Sequence, residues 1–105
     1  MAYGLCGKIV ATEGHGDVLA QHLLEAAAAL DDVATCQMYV VSRDPGDADA
    51  VWVIEVWENA AAHRSSLELE PIQELITRAR PVIAGMGDRF ELLPMGGKGL
   101  TQSDR

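Results

Sequence analysis

A carboxylate, an indole and an imidazole follow one another closely at Glu55, Trp57 and His63. Histidine is the side chain whose ordinary titration falls near neutral pH, so His63 is the natural candidate for a base that takes a proton from a hydroxyl. Trp57 offers a flat apolar surface that can stack on an aromatic ring or bound it. Glu55 interrupts an otherwise aliphatic strand face, where an unpartnered carboxylate is costly. Its expected partner is Lys8 or an arginine in a structural ion pair; the other reading is a carboxyl of raised pKa that handles protons. Each residue also has a purely structural alternative. Trp57 can be ordinary core packing, and a lone helix histidine is often packed or solvated. Tyr39, Val41 and Val53 would form a dry wall around this group, with Leu67 one helical turn beyond His63.

A strand and a helix must hold these side chains together. Along the strand, Val51, Val53, Glu55 and Trp57 fall on one face and Trp52, Ile54 and Val56 on the other. Asn59 then caps the helix that carries His63 and Leu67. Both strand faces are mostly apolar, so both need cover. Two helices cover one face. A second subunit is expected over the other, meeting Trp52, Ile54, Val56, Met38 and Val40.

The rest of the chain supplies the frame. Tyr3–Thr12 predicts a first strand, with Leu5, Ile9 and Ala11 on one face. Gly14-His15-Gly16 makes a turn, Asp17 is placed to cap a helix, and Leu19, Leu23, Ala26 and Leu30 give that helix an apolar stripe. Cys36–Arg43 and Ala50–Trp57 read as a hairpin across Asp44-Pro45-Gly46-Asp47. Glu70-Pro71 interrupts the second helix, and Pro71 restarts it as a first helical residue. Ile72, Leu75, Ile76 and Ala79 form its stripe, Pro81 and Gly85 end it, and Arg89–Pro94 is a short last strand. The order predicts an α+β, ferredoxin-like βαββαβ fold with an antiparallel sheet. One domain is expected over residues 1–100. Gly96-Gly97-Lys98-Gly99 and Thr101–Arg105 read as a flexible tail.

Composition narrows the partners. A formal net charge of -8 disfavours nucleic acid and anionic membrane surfaces, which need a basic footprint. No apolar run is long enough to span a bilayer. The start of the chain lacks the basic and apolar regions of a secretory signal, so a cytoplasmic location is expected. Cys6 and Cys36 fit no zinc spacing and read as small buried hydrophobes. His15, His22 and His63 find no carboxylate or thiol at usable spacing to complete a metal site. No phosphate loop and no Gly-x-Ser-x-Gly elbow occurs. No metal, flavin or haem cofactor is therefore expected.

Several segments together carry a resemblance over nearly the whole chain. They are Tyr3-Gly4-Leu5, Glu55-Val56-Trp57, Ala62-His63-x-x-Ser66-Leu67, Arg80-Pro81-x-Ile83-Ala84-Gly85 and Pro94-x-Gly96-Gly97-x-Gly99-Leu100. In this order the chain resembles the antibiotic biosynthesis monooxygenase family, in particular its small members called quinol monooxygenases. The resemblance implies a ferredoxin-like protomer that pairs sheet to sheet into a dimeric β-barrel, with a pocket between helices and sheet in each protomer. Members of that family variously oxidise phenolic polyketides with molecular oxygen and no metal or flavin, degrade haem, or isomerise small phosphorylated metabolites. The quinone-forming type implicates an Asn and a Trp on the third strand, a Tyr on the next helix and a Tyr on the second strand. Here those positions are Val53, Trp57, His63 and, nearby, Val41. The haem-degrading positions fall near Gly7, Ser66 and Ile76, which disfavours that activity.

The resulting expectation is a homodimeric, cofactor-free monooxygenase that oxidises a small electron-rich aromatic, a quinol or phenol, with molecular oxygen. His63 and Trp57 are its expected catalytic residues, and Tyr39, Val41, Val53, Glu55 and Leu67 its expected substrate contacts. The alternatives are a non-catalytic small-molecule binding or stress-response protein on the same scaffold, and a small-metabolite isomerase.

Overall fold

Alternation along one strand organises the molecule. Val51, Val53 and Trp57 are buried beneath helices, while Ile54, between them on the opposite face, is open to solvent. The computed structural model describes residues 1–100. Its elements are β1 (Tyr3–Ala11), α1 (Gly16–Ala29), β2 (Cys36–Asp44), β3 (Asp47–Trp57), α2 (Ala60–Ser66), α3 (Glu70–Ala79), a 3-10 turn at Arg80–Val82 and β4 (Ile83–Leu92). The four strands form one antiparallel sheet in the order β2-β3-β1-β4, the ferredoxin-like arrangement. The flexible tail expected over Thr101–Arg105 lies outside the described residues.

The core lies between sheet and helices in two clusters. Ala26, Leu30, Trp57, Ile72 and Leu75 pack at one end. Ala11, Leu19 and Val51 pack at the other, with Val41 and Ile9 against them. Thus α1 runs along the sheet, its C-terminal turns against Trp57 and its N-terminal turns against Val51.

The opposite sheet face carries Val40, Ile54 and Phe90, all more than a third exposed. Strand register sets Val40, Ile54, Cys6 and Phe90 in one row across it. At its edge Pro94 packs close to β1: a Cβ on Gly4 would meet Pro94 Cγ at 3.1 Å, a tight contact that would make the proline ring shift.

The structure corrects several boundaries. Asp17 does not cap α1: the cap position is His15, without a side-chain hydrogen bond, and Asp17 pairs with Arg43. The exposed amides are instead met from the start of β3, where the Asp49 carboxylate accepts from Gly14 N and Gly16 N, each at 3.1 Å. That contact requires a close backbone approach. A Cβ on Gly16 would stand 1.9 Å from the Ala48 carbonyl oxygen. Gly16→Ala should therefore destabilise the protein by about 1–3 kcal/mol, read as a lower melting temperature, because the backbone must shift to admit one methyl.

The second helix is two helices. Leu67 closes α2, and α3 opens at Glu70, so Pro71 is its second residue and not its first. Leu69, in an extended conformation, takes the break between them. The last strand begins at Ile83, six residues before the expected Arg89. Pairing with β1 overrides the local breakers: Ile83, Gly85 and Met86 align with Ala11, Val10 and Ile9, with bulges absorbing the irregularity. No described helix is long and apolar enough to cross a membrane.

Candidate functional site

Trp57 ends β3, and sheet pairing places Tyr3 and Cys36 on either side of it. Asn59 follows and opens α2, its Oδ1 accepting from Ala62 N at 2.7 Å. One turn on, His63 is thereby folded back over the strand end. Its ring centroid lies 5.8 Å from that of Trp57, edge-on, and 5.5 Å from that of Tyr3. Ser66 Oγ donates to the His63 carbonyl at 2.6 Å and holds the turn beneath the imidazole.

Beneath this roof is a cavity of about 320 Å³ between the sheet, α1 and the α2–α3 layer. Among the expected site residues, His63, Trp57, Tyr39, Glu55 and Leu67 line it. Val53 lines a smaller space of about 200 Å³ that adjoins it across Ile9, Tyr39, Glu55 and Met86. Val41 lies in neither wall and packs with Ala11, Leu19 and Val51. Most of the lining is aliphatic, and its polar side chains are few.

Glu55 is the electrostatic centre, and its partners differ from the expected ion pair. Its Oε1 accepts from Trp57 Nε1 at 2.9 Å and stands 3.7 Å from His63 Nε2. Lys8 is on the other sheet face, its ammonium 5.8 Å from the centre of the Trp52 ring. Arg89 affects Glu55 only as a nearby charge. Burial pushes the Glu55 carboxyl above the ordinary value near 4.5, although the Trp57 hydrogen bond, His63 and Arg89 all pull it down. The same burial, with the Glu55 charge, raises the pKa of Tyr39 and of the Cys36 thiol. Tyr39 therefore remains a neutral phenol and Cys36 an unreactive thiol.

A stability test follows from the Glu55 shift. A raised carboxyl pKa means that the folded chain holds this proton more tightly than the unfolded chain does. The contribution is fully present below about 4.5 and is lost as pH climbs through the folded value. Glu55→Gln cannot titrate. The melting temperature of the wild type relative to Glu55→Gln should accordingly fall as pH rises from 4.5, and a constant difference would show that burial does not govern this carboxyl.

Two residues around the site escaped the sequence reading. Tyr3 lies against His63 with its ring tilted, and its hydroxyl donates to Glu91 Oε2 at 2.7 Å. Extending the Leu5, Ile9 and Ala11 alternation back by twos reaches it. His22 lines the cavity; it flanks the α1 stripe, three residues after Leu19 and four before Ala26. His15 is elsewhere, its Nδ1 2.8 Å from Thr12 Oγ1 in the turn before α1. Among the described residues, no three His, Cys, Asp or Glu side chains are grouped to hold a metal ion.

The scaffold recurs in solved structures. A candidate antibiotic biosynthesis monooxygenase from Chloroflexus aurantiacus J-10-fl is 40% identical, with a TM-score of 0.88 over 96% of this chain and 100% of that one. A candidate of the same description from Deinococcus radiodurans is 21% identical, with a TM-score of 0.75 over 92% of this chain and 95% of its own. A variant of a cofactor-independent oxygenase from Streptomyces nogalater is 12% identical, with a TM-score of 0.75 over 92% and 96% of the two chains; these last two likenesses speak to fold alone. No curated protein matches the chain. The antibiotic biosynthesis monooxygenase profile matches residues 3–78, and with the 40% identical relative this shows that the chain belongs to the antibiotic biosynthesis monooxygenase family.

Proposed function

We propose that the protein is a cofactor-independent monooxygenase that oxidises a small quinol or phenol with molecular oxygen. The observation that carries this reading is the Trp57–Glu55–His63 cluster set into a dry aliphatic wall. Glu55 Oε1 is 2.9 Å from Trp57 Nε1 and 3.7 Å from His63 Nε2. The second separation is too long for a hydrogen bond, which leaves His63 Nε2 open to a substrate hydroxyl. In the tautomer with its proton on Nδ1, His63 Nε2 accepts the hydroxyl proton. The imidazolium so formed faces the Glu55 carboxylate, which stabilises it. Trp57 holds that carboxylate in place from its other side.

The substrate itself then supplies the electrons. An aromatic oxyanion gives one electron to oxygen, and the resulting radical pair joins to form a carbon–oxygen bond. Cleavage of the oxygen–oxygen bond releases water. In sum, a phenol and one oxygen molecule yield a quinone and one water, and a quinol yields a hydroxyquinone and one water. The aliphatic walls keep bulk water from the oxyanion and favour its reaction with oxygen.

Oxygen uptake over a panel of quinols and phenols tests the reading. Uptake above the spontaneous rate, lost on substitution of His63, supports it. Tight binding with no uptake would instead assign the cavity to ligand carriage. A cytoplasmic setting suits the two unpaired thiols, Cys6 and Cys36.

The same reading includes a homodimer joined through the open sheet face. Supporting it is the exposed row of Val40, Ile54 and Phe90, whose apolar surface a second sheet would cover. Such an interface should bury roughly 2,000 Å² or more in total. Ile54→Glu, at the middle of that row, should convert a dimer to monomer in sedimentation velocity. A wild-type protein that sediments as a monomer at micromolar concentration would overturn the dimer.

A further inference from the structure

The cavity has a second polar end that the proposed chemistry leaves unused. Its first end is the β3 terminus, where Tyr39, Glu55 and His63 meet. The second is His22 on α1, toward the Leu19 end of the helix and away from the Trp57 cluster. Between the two, Leu23, Ala26, Leu75 and Ile76 contribute only hydrocarbon.

His22 is built into this wall by a chain of charges. Its Nδ1 is 3.5 Å from Glu25 Oε2, and Glu25 Oε1 is 3.6 Å from Arg78 Nη1 on α3. The first contact is close enough for attraction but is not aligned as a hydrogen bond, and Nδ1 is sealed from solvent with no hydrogen-bond partner. Among the described residues no hydrogen bond occupies the other ring nitrogen. A half-buried imidazole whose sealed Nδ1 has no hydrogen-bond partner, bordering an apolar cavity, is costly unless a ligand meets its remaining capacity.

We propose that His22 binds the far polar group of the substrate, so that the cavity selects aromatics with hydroxyl or carbonyl oxygens at opposite ends over those with one. This rests on the proposed reading in one respect, that the cavity is the ligand site; it does not require turnover. The near hydroxyl donates to His63 Nε2, the ring system lies along the aliphatic middle, and the far oxygen reaches His22. A para-diol fits this pattern and a simple phenol satisfies one end alone. The chemistry is also coherent, since the far oxygen is where a quinone carbonyl appears.

The test is anaerobic titration of the protein with naphthohydroquinone and with alpha-naphthol, followed by isothermal calorimetry. The wild type should bind the diol about tenfold more tightly, the effect of one well-made hydrogen bond to a buried group. His22→Leu should bind the two equally, through loss of diol affinity alone. His22→Gln, which keeps a donor and an acceptor, should restore part of the preference. Equal binding of diol and naphthol by the wild type overturns the proposal while leaving the Glu55–His63 site standing. A preference that persists in His22→Leu also overturns it. If the wild type binds neither compound, the cavity is not the ligand site for this class, and both readings fall together.

Discussion

His63→Ala should lower the turnover of an active quinol by about a hundredfold to ten-thousandfold, the range expected when a positioned general base is removed. The substrate would keep its contacts with the aliphatic wall, so the loss should fall mainly on kcat. Stability should change little. The imidazole is at the cavity roof, and among the described residues no hydrogen bond of its ring secures the core. The measurement is oxygen uptake with the spontaneous rate subtracted, paired with thermal unfolding of the same samples. Glu55→Gln provides a second view of the same unit. It keeps the shape but removes the charge that faces the imidazolium, so its loss should fall within the His63→Ala loss and not multiply it. Unchanged kinetics in His63→Ala would remove the base from the mechanism and shift the weight to ligand carriage.

Trp57→Ala should cost about 3–5 kcal/mol, the range for deleting a buried aromatic. Trp57 is wholly buried and packs with Ala26, Leu30, Ile72 and Leu75. For a domain of this size the melting temperature should fall by roughly 15–30 °C, since each kcal/mol shifts it by several degrees. Trp57→Phe separates packing from hydrogen bonding. It fills much of the space but removes the indole N–H and leaves Glu55 Oε1 short of a donor. Its expected cost is about 1–3 kcal/mol. A Trp57→Phe protein as stable as the wild type would mean that Glu55 finds its support elsewhere.

How much of this was legible in the sequence depends on distance along the chain. The relation of Trp57 to His63 is local: a strand end, an asparagine cap and one helical turn determine it, and all three can be read directly. The sheet order followed from the alternation of elements. Glu55 was different. Period two placed it on the buried face, but its partner depended on the Trp57 indole turning back along the same strand, which alternation does not encode. Tyr3 reaches His63 only through β1–β3 pairing, across more than fifty residues of chain. The extent of β4 was hidden for a related reason. Pro81, Gly85 and Gly87 disfavour a strand locally, and the hydrogen bonds that outweigh them come from β1. Asp17 looked like a cap because capping was judged from neighbours, whereas Asp49 reaches α1 from another strand.

The walls of the cavity are unequal in one respect that bears on ancestry and descent. Its floor contains Trp57, on which both the core and the Glu55 carboxylate depend. Its rim contains Leu67, Ile76 and Met86, which are 45%, 37% and 74% exposed. Exchanges at such exposed positions ordinarily change stability by no more than about 0.5 kcal/mol. Lineages of this fold can therefore drift toward new ligands through the rim at little risk, while the floor is held by purifying selection for a folded chain. Laboratory evolution for altered substrate range should accumulate its first substitutions at the rim and leave Trp57 untouched.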